Sequence, residues 1–441
     1  MAKDGSPPKM AAWSRVPDTE RRYALLILTL VYVSSYMDRN IFSIVLEPIK
    51  KEMHFSDTEL GLLTGPAFAF VYAFGGIPIA WLADRWNRRN IVAISITIWS
   101  FMTAFTGFAG NFLQLFAARI GVGIGEAGSA PPSHSMIADL YPREKRAGAL
   151  GFYNLAIYVA LAISFVGGGW LVDEFGWRPV FFTFGIPGLI VAALVRFTLR
   201  EPERAPPPPG QSGEPAKLLD GIRFVLKSKA AIFFIFGATC TSFVGSGAAQ
   251  WLPAFLIRSY GLSTREAGLI LGPVMAIFAA TGVVFGGWLA DRMSRRDLRW
   301  PAWLIAGAKI VSVPLIGSFY FFHDLRIGLP IYCVGAIFGA FYFGPLQAML
   351  QSLSPPRLRA MTAAILLLMI NFIGLGLGPL FAGIVSDLLT PTLGKEALRY
   401  SLLIFSSANL LGGALFFLGA HHYREEINRA TWDKPPAPAS G

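Results

Sequence analysis

Charged residues are scarce in this 441-residue chain: Asp, Glu, Lys and Arg make up 15% of it, against about 25% in an ordinary soluble domain. Hydrophobic residues reach 54% and the mean hydropathy is +0.52, more apolar surface than a soluble fold has use for. Only two cysteines occur, Cys240 and Cys333, both inside apolar runs, so neither a disulfide framework nor a metal site is implied. The five histidines, His54, His134, His323, His421 and His422, are scattered, mostly at expected helix ends or in tails. With no clustered nucleophile and base, an enzyme is not expected. No phosphate-binding P-loop is present either, which argues against an ATP-driven pump; no cofactor is implied. The net charge of +11 would suggest nucleic acid in a polar chain, but here the basic residues fall between apolar segments. They read as membrane-topology signals instead.

What the chain does contain is a long internal repeat. Ser56 to Arg89, SDTELGLLTGPAFAFVYAFGGIPIAWLADRWNRR, recurs from Ser263 to Arg296 as STREAGLILGPVMAIFAATGVVFGGWLADRMSRR. The copies align without a gap and share roughly half their residues. That period is too long for a solenoid and points to two homologous halves of one membrane protein.

About twelve apolar segments reach the ~20 residues that a bilayer core requires: 22–46, 57–83, 90–109, 112–138, 147–172, 177–198, 231–257, 264–290, 301–322, 328–350, 359–386 and 398–420. The first continues through Asp38 and Arg39 and has no small-residue cleavage site, so it is expected to remain as a helix. Between the sixth and seventh lies REPERAPPPPGQSGEPAK, whose prolines cannot pack a core. The expected division is a tail (1–21), a six-helix bundle (22–198), a linker (199–230), a second six-helix bundle (231–420) and a tail (421–441). Within the linker, 218–229 is basic and amphipathic and is expected to lie on the membrane surface. Loops bearing Arg85, Arg88 and Arg89, then Arg143, Lys145 and Arg146, then Arg292, Arg295, Arg296 and Arg299, then Arg357 and Arg359 all fall on the side of the termini. The connection near Gly110 carries no charge. Both termini are therefore expected in the cytoplasm.

Ionisable residues inside the spans are costly and thus informative. Asp38 and Arg39 are adjacent in the first helix; Arg119 and Glu126 lie in the fourth. At 1.5 Å per residue, Asp38 sits about 23 Å from the termini-side end, Arg119 about 11 Å below the opposite face and Glu126 about 10 Å deeper. This predicts an Asp38–Arg119 ion pair, with Glu126 nearer the midplane and lacking a fixed partner. Desolvation disfavours the charge of an unpaired carboxylate, so Asp38 or Glu126 is a candidate for coupling protonation to conformation. The alternative is that all four form one permanent ion-pair cluster joining the two helices.

The repeated W-L-A-D-R-x-x-R-R block lies at a helix end and loop. Asp84 and Asp291 can accept hydrogen bonds from arginines or a helix N-terminus, contacts that can form in one state and break in another. Candidate gating residues are Asp84, Arg85, Arg88, Arg146, Asp291, Arg292, Arg295 and Arg359.

Two six-helix halves, a central linker and a D-R-x-x-R-R loop after the second and eighth helices resemble the major facilitator superfamily. YMDR in the first helix, Arg119 to Ala127 (R-x-G-V-G-x-G-E-A) and the ADLY segment resemble its Spinster family, which moves sphingolipids and lysophospholipids. The loop departs from the usual motif, with Ala80 and Asn87 where glycines are common; the second copy has Gly287 but Ser294. The resemblance implies an all-helical transporter working by alternating access, with Asp38, Arg39, Arg119 and Glu126 as a proton-linked cluster. With it the expected function is proton-coupled movement of an amphipathic anionic lipid such as sphingosine-1-phosphate or a lysophospholipid; a proton-coupled carrier of drugs or small organic anions stays open, as does a non-transporting receptor or scaffold.

Thr239, Ser242, Ser246 and Gln250 fall on one face of the seventh helix, with Trp251 adjoining. Asn154 and Tyr158 pair at i, i+4 on the fifth, and Tyr342, Gln347 and Asn371 are further polar candidates. Arg39 and Arg119 could attract a phosphate or carboxylate. The glycines of 167–169 and GLGLGP at 374–379 suit close helix packing rather than phosphate binding. These readings assign proton chemistry to the first half and uncharged substrate contacts to the second. Expected partners are an amphipathic lipid or other small solute, protons and bilayer lipids, for a monomer in a bacterial inner membrane.

Overall fold

The computed structural model describes residues 16–204 and 218–429, apart from the side chains of Ile77, Ala80, Asp84 and Arg143. Regular structure among these residues is helical throughout. Twelve rods follow one another: α1 (Asp18–Met53), α2 (57–85), α3 (Arg88–Thr106), α4 (112–140), α5 (143–175), α6 (Trp177–Thr198), α7 (Lys229–Tyr260), α8 (264–294), α9 (Trp300–Phe321), α10 (325–353), α11 (356–393) and α12 (397–429). Eight helical runs are apolar and long enough to cross a membrane on length and composition alone, the last of them, Pro356–Arg429, containing both α11 and α12. The charge-bearing α1 and α4, together with α3, fall outside that set. They complete a twelve-rod arrangement by packing against the others.

Both copies of the repeat start with the same device. Ser56 accepts from the Glu59 backbone N–H while the Glu59 carboxylate accepts from the Ser56 N–H, and Ser263 and Glu266 do the same. Such a reciprocal cap satisfies two of the free donors of a new helix. Breaks follow where the rods approach one another. Pro66, which has no N–H to give, restarts α2 after Gly65; α4 breaks at Gly128–Ser129 before Pro131 and Pro132. In α10 the break is at 340–342. One wide π turn lies in each of α5 (Ile163–Gly167), α8 (Val274–Phe278) and α11 (Ile370–Leu375).

Core packing differs between the two ends of the molecule. At the face opposite the termini, one apolar core joins residues of both halves, among them Phe42, Val45 and Leu63 with Trp251, Phe255 and Leu402. Towards the termini there are two cores: one in the first half around Leu28, Trp99 and Tyr153, another in the second around Phe234, Leu346 and Phe416. Glycines permit the cross-half approach. A Cβ on Gly61 would lie 2.7 Å from the Pro379 carbonyl oxygen, and one on Gly169 would lie 2.7 Å from that of Thr264. The outer belt exposes Phe108, Leu113, Phe197, Val284 and Leu388, as lipid contact requires. The linker helix Leu218–Lys227 likewise exposes Leu218, Leu219, Ile222 and Leu226 while burying Gly221 and Val225.

Candidate functional site

The charges of α1 and α4 do meet, but in a different pairing from the one their depths predict. Arg39 Nε donates to Glu126 Oε2 at 2.5 Å, and the Ser35 hydroxyl donates to the same oxygen at 2.9 Å. Glu126 is therefore the fixed carboxylate. Asp38 is buried with Arg119 and Thr103 near it, yet neither of its carboxylate oxygens has a hydrogen-bond partner. The helical turn explains the exchange: Ser35 and Arg39 are four apart and share the face of α1 turned to Glu126, whereas Asp38 points to the neighbouring stripe. Arg119 donates to the Leu63 carbonyl at 3.2 Å. The Phe68 ring lies 5.1 Å from each of the two guanidiniums, and Tyr72 stands 4.3 Å from Arg39, so aromatic faces contribute to holding both cations.

A second charged group closes the face opposite the termini. Asp387 of α11 accepts from the backbone N–H groups of Asp57 (3.0 Å) and Thr58 (2.7 Å) at the start of α2. Its counterpart Asp173 of α5 accepts from Thr264 (3.1 Å) and Arg265 (3.0 Å) at the start of α8. Each carboxylate caps the positive end of a helix in the other half. Beside the first cap, Arg258 of α7 donates to both Asp57 oxygens at 2.8 and 2.9 Å and to Glu47 at 2.6 Å, while Lys50 reaches Asp57 at 2.5 Å. Sequence reasoning missed this latch. The two Ser-x-x-Glu starts were legible; the aspartates that complete them lie some 330 and 90 residues away.

The candidate gating residues near the termini behave differently. Arg88 is buried and donates to Asp139 (2.5 Å), Ser135 (2.8 Å), Glu201 (2.7 Å) and the Pro202 carbonyl (2.9 Å). It ties together the ends of α3, α4 and α6 within the first half, not the two halves. Arg146 donates to the Ala138 carbonyl at 2.6 Å, also within that half. Arg85 stacks 4.0 Å over Trp81 of its own helix. Asp291, Arg292 and Arg295 are exposed, and Arg359 donates to the Ser354 carbonyl at 3.4 Å. The Asp84 side chain lies outside the described residues.

In the second half, a cavity of about 340 Å³ opens among α7, α8, α9, α10 and α12. Of the polar candidates, Ser242, Ser246 and Tyr342 line it; Thr239, Gln250, Trp251, Gln347 and Asn371 are outside its lining. Thr239 and Asn371 donate to carbonyls four residues back, and Trp251 donates to the Pro379 carbonyl at 2.9 Å, a packing role. Asn154 is exposed and Tyr158 half-buried on α5. Beside these uncharged groups stands a charge that the sequence reading did not single out, Lys309. This lysine of α9 lines the cavity and is buried. The run WPAWLIAGAKIVSVPLIGSFYF displays it as a lone cation in an apolar segment, a signal that was available.

A family model described as Major Facilitator Superfamily matches residues 28–379. The chain belongs to the major facilitator superfamily. It is 32% identical over 405 residues to an MFS-type efflux pump of Mycolicibacterium smegmatis, covering 92% of this chain and 94% of that one. It is 30% identical over 304 residues to a probable galactarate/D-glucarate transporter of Bacillus subtilis, covering 63% and 66%. Among solved structures, a bacterial homolog of the human lysosomal transporter Spinster, crystallised inward-facing and unoccupied, superposes with a TM-score of 0.87 at 30% identity. That match covers 96% of this chain and 100% of the homolog. The expected fold, twelve helices in two related halves, and the resemblance to Spinster both stand. For a major facilitator the arrangement has a clear mechanical sense: the halves share a core and two helix caps at one face, and keep separate cores at the other.

Proposed function

We propose that this major facilitator is a proton-coupled carrier working by alternating access, which moves an amphipathic anionic lipid such as sphingosine-1-phosphate or a lysophospholipid. The observation that carries the coupling is Asp38, a buried carboxylate without a hydrogen-bond partner beside the Arg39–Glu126 pair. Two carboxylates and two guanidiniums balance when all are ionised. A proton arriving at Asp38 leaves the cluster with excess positive charge, so occupancy by a proton or an anion biases the same two-state equilibrium. The likeness to the Spinster homolog supports a lipid. Basic loops on the side of the termini support cytoplasmic termini in a bacterial inner membrane; the latched face is then the outer one, and the state is inward-facing.

A second reading, a carrier of drugs or small organic anions, is favoured by the efflux pump and the galactarate/D-glucarate relative. The deciding experiment is purified protein in liposomes, assayed for lysophospholipid, sphingosine-1-phosphate and glucarate movement with and without a pH gradient. Faster lipid movement with the gradient, lost in Asp38→Asn, supports the proposal. Equal rates under both conditions in wild type, Asp38→Asn and Glu126→Gln remove the coupling. Glucarate transport with no lipid movement removes the lipid.

A further inference from the structure

Lys309 sits nine residues into α9, about 13 Å along a helix about 33 Å long, so its ammonium lies near the middle of the bilayer. One of its three N–H groups is accounted for by the Gly339 carbonyl at 2.7 Å, and the Tyr342 ring lies 4.7 Å away. Among the described residues no carboxylate forms an ion pair with it. A buried ammonium without a counter-charge is expensive. Three other buried groups of the same cavity also lack partners: the Thr241 hydroxyl, the Tyr320 hydroxyl and the Asn409 side-chain oxygen. Hydroxyls can donate as well as accept, so the cavity holds one amine that an arriving anion would keep charged, with free donors around it and no carboxylate paired to it.

We infer that this cavity is an anion subsite built on Lys309, which takes the phosphate or carboxylate group of the transported molecule. The inference rests on the proposed function as a carrier of an anionic amphiphile. In the first half, the charges of Asp38 and Glu126 offset those of Arg39 and Arg119; Lys309 has nothing to offset it, and the substrate's anion supplies the missing charge. The break in α10 at 340–342 provides the free carbonyl of Gly339 that holds the ammonium in place when the site is empty, as a cation does at any helix C-terminus. A lysine present only to cap that break would be indifferent to the charge of a ligand.

That difference is measurable in the full-length protein reconstituted in nanodiscs. The probes are oleoyl lysophosphatidate (anion and tail), monooleoylglycerol (tail without charge) and glucarate (anion without tail). Lys309→Gln is expected to weaken lysophosphatidate at least about tenfold and to leave monooleoylglycerol unchanged, whereas Lys309→Arg retains the preference for the anion. Unchanged lysophosphatidate binding in Lys309→Gln, or equal losses for the charged and uncharged tails, overturns the inference. Dependence on Lys309 for glucarate alone upholds the subsite and rejects the lipid. Asp38→Asn is expected to keep the anion preference, so loss of proton coupling and loss of the subsite are read separately.

Discussion

Asp173 and Asp387 occupy equivalent places in the two halves, each presenting its carboxylate to the first backbone N–H groups of a helix in the other half. Two charge-assisted hydrogen bonds and a helix dipole are satisfied at each cap, together on the order of 2–4 kcal/mol. Alanine at either position is expected to loosen the closed face and favour the alternative state. The double variant should shift the equilibrium by roughly the sum of the singles, because the caps share no residue. Pairs of spin labels on the ends of α2 and α11, read as distance distributions, test this. An unchanged distribution in Asp173→Ala/Asp387→Ala would show that the shared apolar core alone holds that face.

Two arginines of one loop motif should respond very unequally to the same substitution. Arg88 is buried among Asp139, Glu201 and the Pro202 carbonyl, so Arg88→Ala removes the buried cation that Asp139 and Glu201 share and is expected to cost about 3–5 kcal/mol. Arg85 is exposed and leans on Trp81; Arg85→Ala is expected to change stability by no more than about 0.5 kcal/mol. Thermal unfolding of the detergent-purified variants, followed by tryptophan fluorescence, separates the two.

The number of helices, the halves and the meeting of α1 with α4 were legible in the sequence because hydropathy, repeat and intramembrane charge are local signals. Pairing inside the cluster was not. Depth along a helix can be counted, but Asp38 and Arg39 differ by one residue of depth and by about 100° of direction, and direction decided that Glu126 went to Arg39. The latch was hidden for another reason: Asp173 and Asp387 are ordinary helix-end acids until the facing N-termini are known. Arg88 was read as a candidate gating charge because burial cannot be seen in a basic run.

Outside the spans, Glu52 near the end of α1 is held below its ordinary carboxylate range chiefly by hydrogen bonding from Arg178, with Trp177 also donating, at 2.7 Å. A carboxylate depressed on folding binds fewer protons than in the unfolded chain, so its stabilisation is present above the unfolded value near 4.3 and fades as pH falls through the folded one. Glu52 is about half exposed, and solvent keeps the effect small. The stability difference between wild type and Glu52→Gln is therefore expected to be largest at neutral pH and to shrink below about pH 4. Unfolding midpoints across that interval check it; a difference that grows in acid would contradict the assignment.

The two carboxylates of the charged cluster should also separate by stability alone, without any transport assay. Glu126→Gln removes the charge that Arg39 Nε contacts at 2.5 Å and leaves that guanidinium largely buried and uncompensated, a loss expected to be about 3–5 kcal/mol. Asp38 forms no hydrogen bond to lose. Asp38→Asn replaces a desolvated group by a neutral one of the same shape, and its effect is expected to lie within about 1 kcal/mol of zero, on either side. Arg39→Lys, keeping charge but not the planar contact with Tyr72, should fall between the two. Unfolding midpoints at pH 7 rank the three variants. If Asp38→Asn proved as damaging as Glu126→Gln, Asp38 would have a partner in the folded protein, and its place as the free proton site would fall.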